Sequence, residues 1–345
     1  MEELLLEIKN LKIQYDLEGR LIRAVDGVSI EVRRGESFGL VGESGSGKST
    51  IAKAILKLLA QNSKVREGAI LFKGKNIIPM TEKEMNGIRW REVSIITQSA
   101  MNALNPVARI SEQMIETIRA HDKSTHSKKD ILDKCKELFG MVGLNKERIM
   151  DYPHQFSGGM KQRVIIAMSM ALNPDLIIAD EPTTALDVMV QAQIINILKK
   201  LWNEKKVSLF LITHDIAIIS ELCERVGVMY AGRLMEYGDI DKVFNNPYHP
   251  YTMGLKGAFP SIRRLKQPLI SIPGNSPNFM DRSTKCGFSE RCPFSIERCV
   301  LEAPEIKEIE ADHHVACHRM EHAKRFREEI IDLFSTEMRV IQKYD

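Results

Sequence analysis

The octapeptide Gly42-Glu43-Ser44-Gly45-Ser46-Gly47-Lys48-Ser49 constrains this chain more than any other segment. It fits G-x-x-x-x-G-K-[ST] at every fixed position. It follows the short apolar run Phe38–Val41, a buried-strand candidate, and opens a helix with Ile51, Ala54, Ile55, Leu58 and Leu59 on one face. In that strand–loop–helix setting, glycines let backbone N–H groups turn inward around the β- and γ-phosphates. Lys48 adds a point charge, and the helix N-terminus adds its dipole. The Ser49 hydroxyl is placed to ligate Mg²⁺. Gly42, Ser44, Gly45, Gly47, Lys48, Ser49 and Thr50 are therefore the candidate nucleotide-binding residues, and the ligand is a nucleoside triphosphate.

A second segment belongs to the same chemistry. Leu176-Ile177-Ile178-Ala179 reads as an apolar strand ending in Asp180-Glu181. Ligands of open α/β sheets sit outside the carboxyl ends of the strands, so Asp180 is placed to hold Mg²⁺ and Glu181 to polarise an attacking water. The bland alternative, a helix first turn made by Asp-Glu-Pro, loses once the phosphate loop is counted. Between the two segments the periodicity turns helical: Ile110, Met114, Ile115 and Ile118 form one stripe, and Ile131, Cys135, Leu138 and Met141 another. An α/β core is thus interrupted by an all-helical insert, about residues 100–172.

Composition excludes several classes. Hydrophobic residues make up 43% and charged residues 28% of the 345 positions, an ordinary globular balance. No apolar run approaches the ~20 residues that span a bilayer, and the acids of MEELLLEIKN do not suit a secretory leader. A cytosolic chain is expected, with any membrane role supplied by partners. With 49 basic and 46 acidic residues, charge gives no argument for nucleic-acid binding.

Ser157-Gly158-Gly159-Met160-Lys161-Gln162, 23 residues before Asp180, resembles the signature sequence of ATP-binding cassette (ABC) ATPases. The family's other motifs follow in order: Gln98 as the Q-loop, Ala185-Leu186-Asp187 as the D-loop, His214 as the switch histidine, and Tyr15 as the aromatic that stacks on adenine. The resemblance covers residues 5–245. It departs at Met160, where the family usually has glutamine. It implies a RecA-like α/β cassette (1–245) with an antiparallel β subdomain and the helical insert. It also implies ATP hydrolysis with Mg²⁺ held by Ser49, Gln98 and Asp180, Glu181 and His214 acting in catalysis, and a head-to-tail dimer. In that dimer Ser157, Gly158 and Gly159 of one subunit cap the ATP of the other.

Within the family, Ala103-Leu104-Asn105-Pro106, Phe156 before the signature and Asn246-Pro247-Tyr248-His249-Pro250-Tyr251-Thr252 resemble the ATPases of dipeptide and oligopeptide importers. Related importers carry nickel complexes or oligosaccharides. The resemblance implies two permease subunits, a second ATPase (a heterodimer, with a homodimer as the alternative), an extracytoplasmic binding protein, and a place on the cytoplasmic face of the membrane. A DNA-maintenance ATPase would carry long coiled-coil insertions, and a translation-associated one a second cassette. This sequence has neither.

The remaining extension, 246–345, opens on a proline-rich stretch, Asn245–Pro277, which reads as a linker that packs on something. Cys286-x5-Cys292-x6-Cys299-x17-Cys317 then forms a quartet over 286–317. Lacking a C-x₂₋₄-C knuckle, and with Pro293 after Cys292, it reads as a [4Fe–4S] site. His313, His314, His318 and His322 keep Zn²⁺ as the alternative, and free thiols are the third. The cysteines are expected to lie in a unit separate from the phosphate loop. Residues Ala323–Met338 read as an amphipathic helix with Phe326, Ile330 and Leu333 or Phe334 on one stripe.

Overall fold

A computed structural model describes residues 3–97, 103–122, 127–258, 272–275 and 284–341. Alternating apolar residues build the first of two sheets. In β1 (Leu4–Leu17) and β2 (Arg20–Arg33), Ile13 faces Val25 and Ile8 faces Ile30 across an antiparallel ladder. β4 (Ser63–Phe72) flanks β1 on its other side and carries β5 (Lys75–Asn76), giving the order β2-β1-β4-β5.

The second sheet is the core. Five parallel strands run in the order β9-β3-β8-β7-β6, namely Arg225–Tyr230, Ser37–Val41, Ser208–Thr213, Leu176–Asp180 and Val93–Ile96. β3, β7, β8 and β9 are buried at every position, as parallel strands covered on both faces must be. Successive side chains take opposite faces. Phe38, Leu40, Ile178, Phe210 and Ile212 pack against the antiparallel sheet. Ile177, Ala179, Leu209 and Leu211 pack against helices.

The insert between β6 and β7 is helical, as its periodicity predicts. Helices Ile110–His121, Lys128–Met141 and Gly158–Ser169 bury Met114, Ile118, Cys135 and Ile166 in the same apolar cluster.

The C-terminal segment departs from expectation. Part of the proline-rich stretch is no linker: Pro250–Gly257 is a helix whose Tyr251, Thr252, Met253 and Leu255 are buried. Nor do the cysteines stand apart from the cassette. β10 (Arg233–Asp239) pairs with both β9 and β12 (His313–Val315), and β11 (Lys307–Glu310) completes the edge, so the extension adds strands to the core sheet. The last helix, Ala323–Ile341, docks by Phe326, Ile330 and Phe334, while Leu333 faces outward.

A buried charge holds this join. Glu236 of β10 is fully buried and accepts the backbone N–H groups of Tyr248 (2.8 Å) and His249 (3.0 Å). It also meets His313 Nε2 at 2.7 Å, while His313 Nδ1 faces Glu310 at 3.1 Å. Two carboxylate acceptors require both ring nitrogens to be donors, so His313 is an imidazolium. Burial alone would lower its pKa, but Glu236 and Glu310 outweigh it, and the value is raised. His249, by contrast, is held down to about 3 by burial, and its neutral Nδ1 caps the helix by accepting Tyr251 N–H at 3.0 Å.

Replacing His313 by Gln should cost roughly 3 kcal/mol, the order expected when one partner of a buried pair is removed. A raised folded pKa contributes stability in full below the ordinary value of 6.5, and loses it as pH rises through the folded value. The Tm gap between wild type and His313→Gln should therefore be wider near pH 6 than near pH 8.5, as read by thermal melts. A gap that widens with pH would contradict the ion pair.

Candidate active site

β3 delivers the chain to the glycine loop, and two glycines make the delivery possible. A Cβ on Gly42 would stand 2.1 Å from the Met229 carbonyl oxygen, and one on Gly47 2.3 Å from that of Ala24. Gly47 also has φ +104°, a left-handed value costly for any other residue. The loop turns into the helix Lys48–Ile55, with Ser44 and Gly45 facing solvent and Ser46, Lys48 and Ile51 buried. Lys48 Nζ donates to the carbonyls of Gly42 (2.7 Å) and Glu43 (2.9 Å) and contacts Ser46 Oγ (3.3 Å). Burial lowers its pKa against the opposing pull of Glu181, Asp180 and Glu43.

Neighbouring parallel strands bring the acids to the same edge. Val41 lies opposite Thr213, and Asp180 opposite Ile212, so β3, β8 and β7 end together. Ser49 Oγ donates to Asp180 Oδ1 at 3.0 Å. Burial raises the Asp180 pKa, with Glu181 adding to the rise and Ser49 and Lys48 opposing it. A hydroxyl and a desolvated carboxylate beside a phosphate loop are the donor set that suits Mg²⁺.

Glu181 sits at φ +51°, and its N–H donates to Ile212 O at 2.8 Å. His214 Nδ1 meets its two oxygens at 2.9 and 3.0 Å, and His214 N–H donates to Oε1 at 3.1 Å. Thr184 Oγ1 and Thr213 Oγ1 donate to Oε2 at 3.0 and 3.5 Å. Glu181 is 11% exposed and His214 66%, so the carboxylate is fixed while the imidazole faces solvent. The two threonines were not singled out in the sequence; their proximity to Glu181 in sequence and strand register was the available signal.

The other motif residues are placed as follows. Ser157 caps the helix Gly158–Ser169: its Oγ accepts Met160 N–H at 3.4 Å and its carbonyl accepts Lys161 N–H at 2.9 Å. These bonds keep Ser157 within its own helix. A Cβ on Gly159 would meet Val190 Cγ1 at 2.3 Å, which sets the approach of the helix Val188–Lys205. Asp187 caps that helix through Val190 N–H at 2.9 Å. The departure at Met160 is accommodated by Arg148, whose Nη1 lies 3.6 Å from the Met160 sulfur. Tyr15 is half-buried on β1, opposite Ile22 and Ser63. Thr50 follows Ser49 in the first helical turn. Gln98 lies outside the described residues.

Cys286, Cys292, Cys299 and Cys317 line one cavity of about 20 Å³, closed by Phe288 and Phe326. Burial pushes Cys292 and Cys317 up to about 12 and raises Cys286. The backbone N–H of Arg319 donates to Cys317 Sγ at 3.4 Å. Among the described residues, no group of three or more His, Cys, Asp or Glu is disposed to hold one metal ion.

Residues 25–184 match the model described as "ABC transporter", and 235–299 the one described as "Oligopeptide/dipeptide transporter, C-terminal region". The chain is 41% identical over 315 residues to the oligopeptide transport ATP-binding protein OppD of Escherichia coli, covering 91% of this chain and 92% of that one. The chain belongs to the ABC transporter family. A second member, the dipeptide transport ATP-binding protein DppD of Caldanaerobacter subterraneus, is 39% identical over 323 residues, covering 93% of this chain and 98% of the relative. A dimeric cassette, MJ0796, described as a bacterial ABC transporter cassette, superposes with a TM-score of 0.62 at 28% identity, over 68% of this chain and 98% of that one. The same cassette in a post-hydrolysis state with ADP and Pi gives the same TM-score, 0.62. The chain is thus an ABC ATPase.

The loop geometry gives a direct check. Gly47→Ala should lose at least about tenfold in ATP affinity, since strain at such a φ alone is worth ~1–3 kcal/mol. Gly74, at φ +75° with open space around it, is the control. Gly74→Ala should bind ATP as wild type does in a fluorescent-nucleotide titration.

Proposed function

We propose that this chain is the ATP-hydrolysing subunit of a di- or oligopeptide importer, working on permease subunits at the cytoplasmic face of the membrane. The observation that carries the reading is a phosphate loop with its acidic pair at one sheet edge, in one molecule with a C-terminal region of the oligopeptide/dipeptide type. The names of the relatives favour peptides over nickel complexes or oligosaccharides as cargo. Among the described residues no helix is long and apolar enough to cross a membrane, so passage belongs to permeases. A second, different ATPase and an extracytoplasmic binding protein complete the proposed assembly.

Each residue has a proposed part. The loop Gly42–Ser49 with Thr50 binds the phosphates, and Tyr15 stacks on adenine. Ser49, Asp180 and Gln98 would hold Mg²⁺, which neutralises charge on the β- and γ-phosphates. Lys48 exchanges two loop carbonyls for phosphate oxygens. Glu181, fixed by its threonines and Ile212, aligns the attacking water and draws its proton. His214, exposed enough to turn, leaves Glu181 and reaches the γ-phosphate. Ser157, Gly158 and Gly159, at the start of the helix Gly158–Ser169, present its N-terminus to the ATP of the partner subunit, with Asp187 capping the neighbouring helix.

We propose also that the four cysteines hold a [4Fe–4S] cluster rather than Zn²⁺. What supports this is the one cavity that all four thiols line, with the Arg319 N–H donating to Cys317 Sγ at 3.4 Å.

Glu181→Gln keeps shape and removes the charge, so ATP binding should persist while turnover falls by ~10²–10⁴-fold. Near-normal hydrolysis would overturn the role given to Glu181, and unaltered peptide uptake in cells carrying only this variant would overturn the importer reading. For the cysteines, protein purified without oxygen should be brown and release iron with sulfide. Colourless protein with stoichiometric zinc would replace the cluster by a zinc staple.

A further inference from the structure

The second residue of the phosphate loop is held from the far end of the chain. Glu43 occupies a variable position of the loop motif, so phosphate binding as such does not call for a carboxylate there. Its Oε2 accepts from Arg291 Nη1 at 2.8 Å. Its N–H donates to Tyr251 Oη at 3.0 Å, and its carbonyl receives Lys48 Nζ at 2.9 Å. Three polar groups of one residue therefore join the C-terminal segment to the lysine that must meet the phosphates.

Arg291 is itself pinned. Its Nε donates to Pro273 O at 2.7 Å, its Nη2 to Ile272 O at 3.0 Å, and Nη1 also reaches Tyr230 Oη at 3.0 Å. The side chain is only 9% exposed, against 25% for Glu43. The rings of Tyr230 and Tyr251 lie 4.6 Å apart, and Phe288 packs 5.3 Å from each. A planar guanidinium so engaged offers one fixed donor to Glu43, which a flexible ammonium does not.

We infer that Arg291 is a positioning residue for nucleotide binding, acting through Glu43. It keeps the Glu43 carbonyl where Lys48 rests by pairing with the Glu43 carboxylate. When Lys48 leaves the Gly42 and Glu43 carbonyls, Tyr251 and Arg291 still hold Glu43, so the loop keeps its shape. ATP affinity thus depends on residues of the C-terminal segment, which make no phosphate contact of their own.

The test uses the full chain for MgATP binding and the assembled transporter for KM and kcat. Arg291→Gln should raise Kd and KM for MgATP roughly 3- to 30-fold, the range of a charge-assisted hydrogen bond partly transmitted, with kcat changed less than twofold. Arg291→Lys should recover part of that loss. Adding Glu43→Gln to Arg291→Gln should cost nothing further, because both act through one contact. If the Arg291 variants do not fold, Glu43→Ala reads the same contact and should raise KM by a similar factor. Three results would overturn the inference: losses of the two substitutions that multiply, a fall in kcat at unchanged KM, or a lower Tm with unaltered MgATP affinity.

Discussion

The rest of the active site depends on how closely the glycine loop is pressed between two strands. Carbonyl oxygens of Met229 and Ala24 occupy the space where side chains on Gly42 and Gly47 would begin. Gly232 N–H closes onto Ser46 O at 2.9 Å, so the loop is tied to the β9–β10 turn as well. With the loop held at both glycines, the backbone of Lys48 and Ser49 is placed. The register of β3, β8 and β7 then brings Asp180, Glu181 and His214 to them. A one-residue slip of β7 would turn Asp180 to the other face of the sheet.

Strain and charge are concentrated there. Glu181 carries a left-handed backbone at the end of a strand, a conformation that costs ~1–3 kcal/mol and persists only when its surroundings over-determine it. Here they do, since Ile212 O, His214 N–H and two threonine hydroxyls hold its backbone and side chain. Asp180, buried beside it, is a carboxylate whose pKa burial raises, with Glu181 adding to the rise and Ser49, Lys48 and Lys53 opposing it.

A different device fastens the C-terminal segment. Glu236 and His313 place a buried ion pair under Tyr248 and His249, and Arg225 reaches Asp312 at 2.6 Å and Tyr237 Oη at 2.7 Å from within the sheet. Buried charges are costly unless each is paired, and the Glu236–His313 and Arg225–Asp312 pairs form only when the β12 segment lies against β10. They reward one docking of the extension and penalise others. The segment Asn246–Thr252 thereby acquires a physical meaning: its backbone N–H groups and His249 are partners in that network.

Short-range rules made much of this legible in the sequence. The loop, the apolar run ending in Asp180-Glu181 and the helical stripes each follow from contiguous residues, because turn geometry, strand alternation and helix period are local properties. The place of His214 just after a strand was legible as well, since the pattern marks that strand. What the sequence hid are contacts between residues far apart along the chain. Pro250–Gly257 has too few residues for its period to show among prolines, and only burial against the core identifies it as a helix. The three-residue strand His313–Val315 carries no pattern, and its pairing with β10 is decided by the Glu236–His313 charge. Arg291 and Glu43 are 248 positions apart and touch only because that pairing folds the extension back over the loop. The sequence by itself determined that a nucleoside triphosphate binds, because phosphate recognition is written in one octapeptide. Tertiary structure alone decided that the cysteine-bearing segment shares a sheet with that octapeptide, because the pairing energy of buried charges exists only once the strands have met.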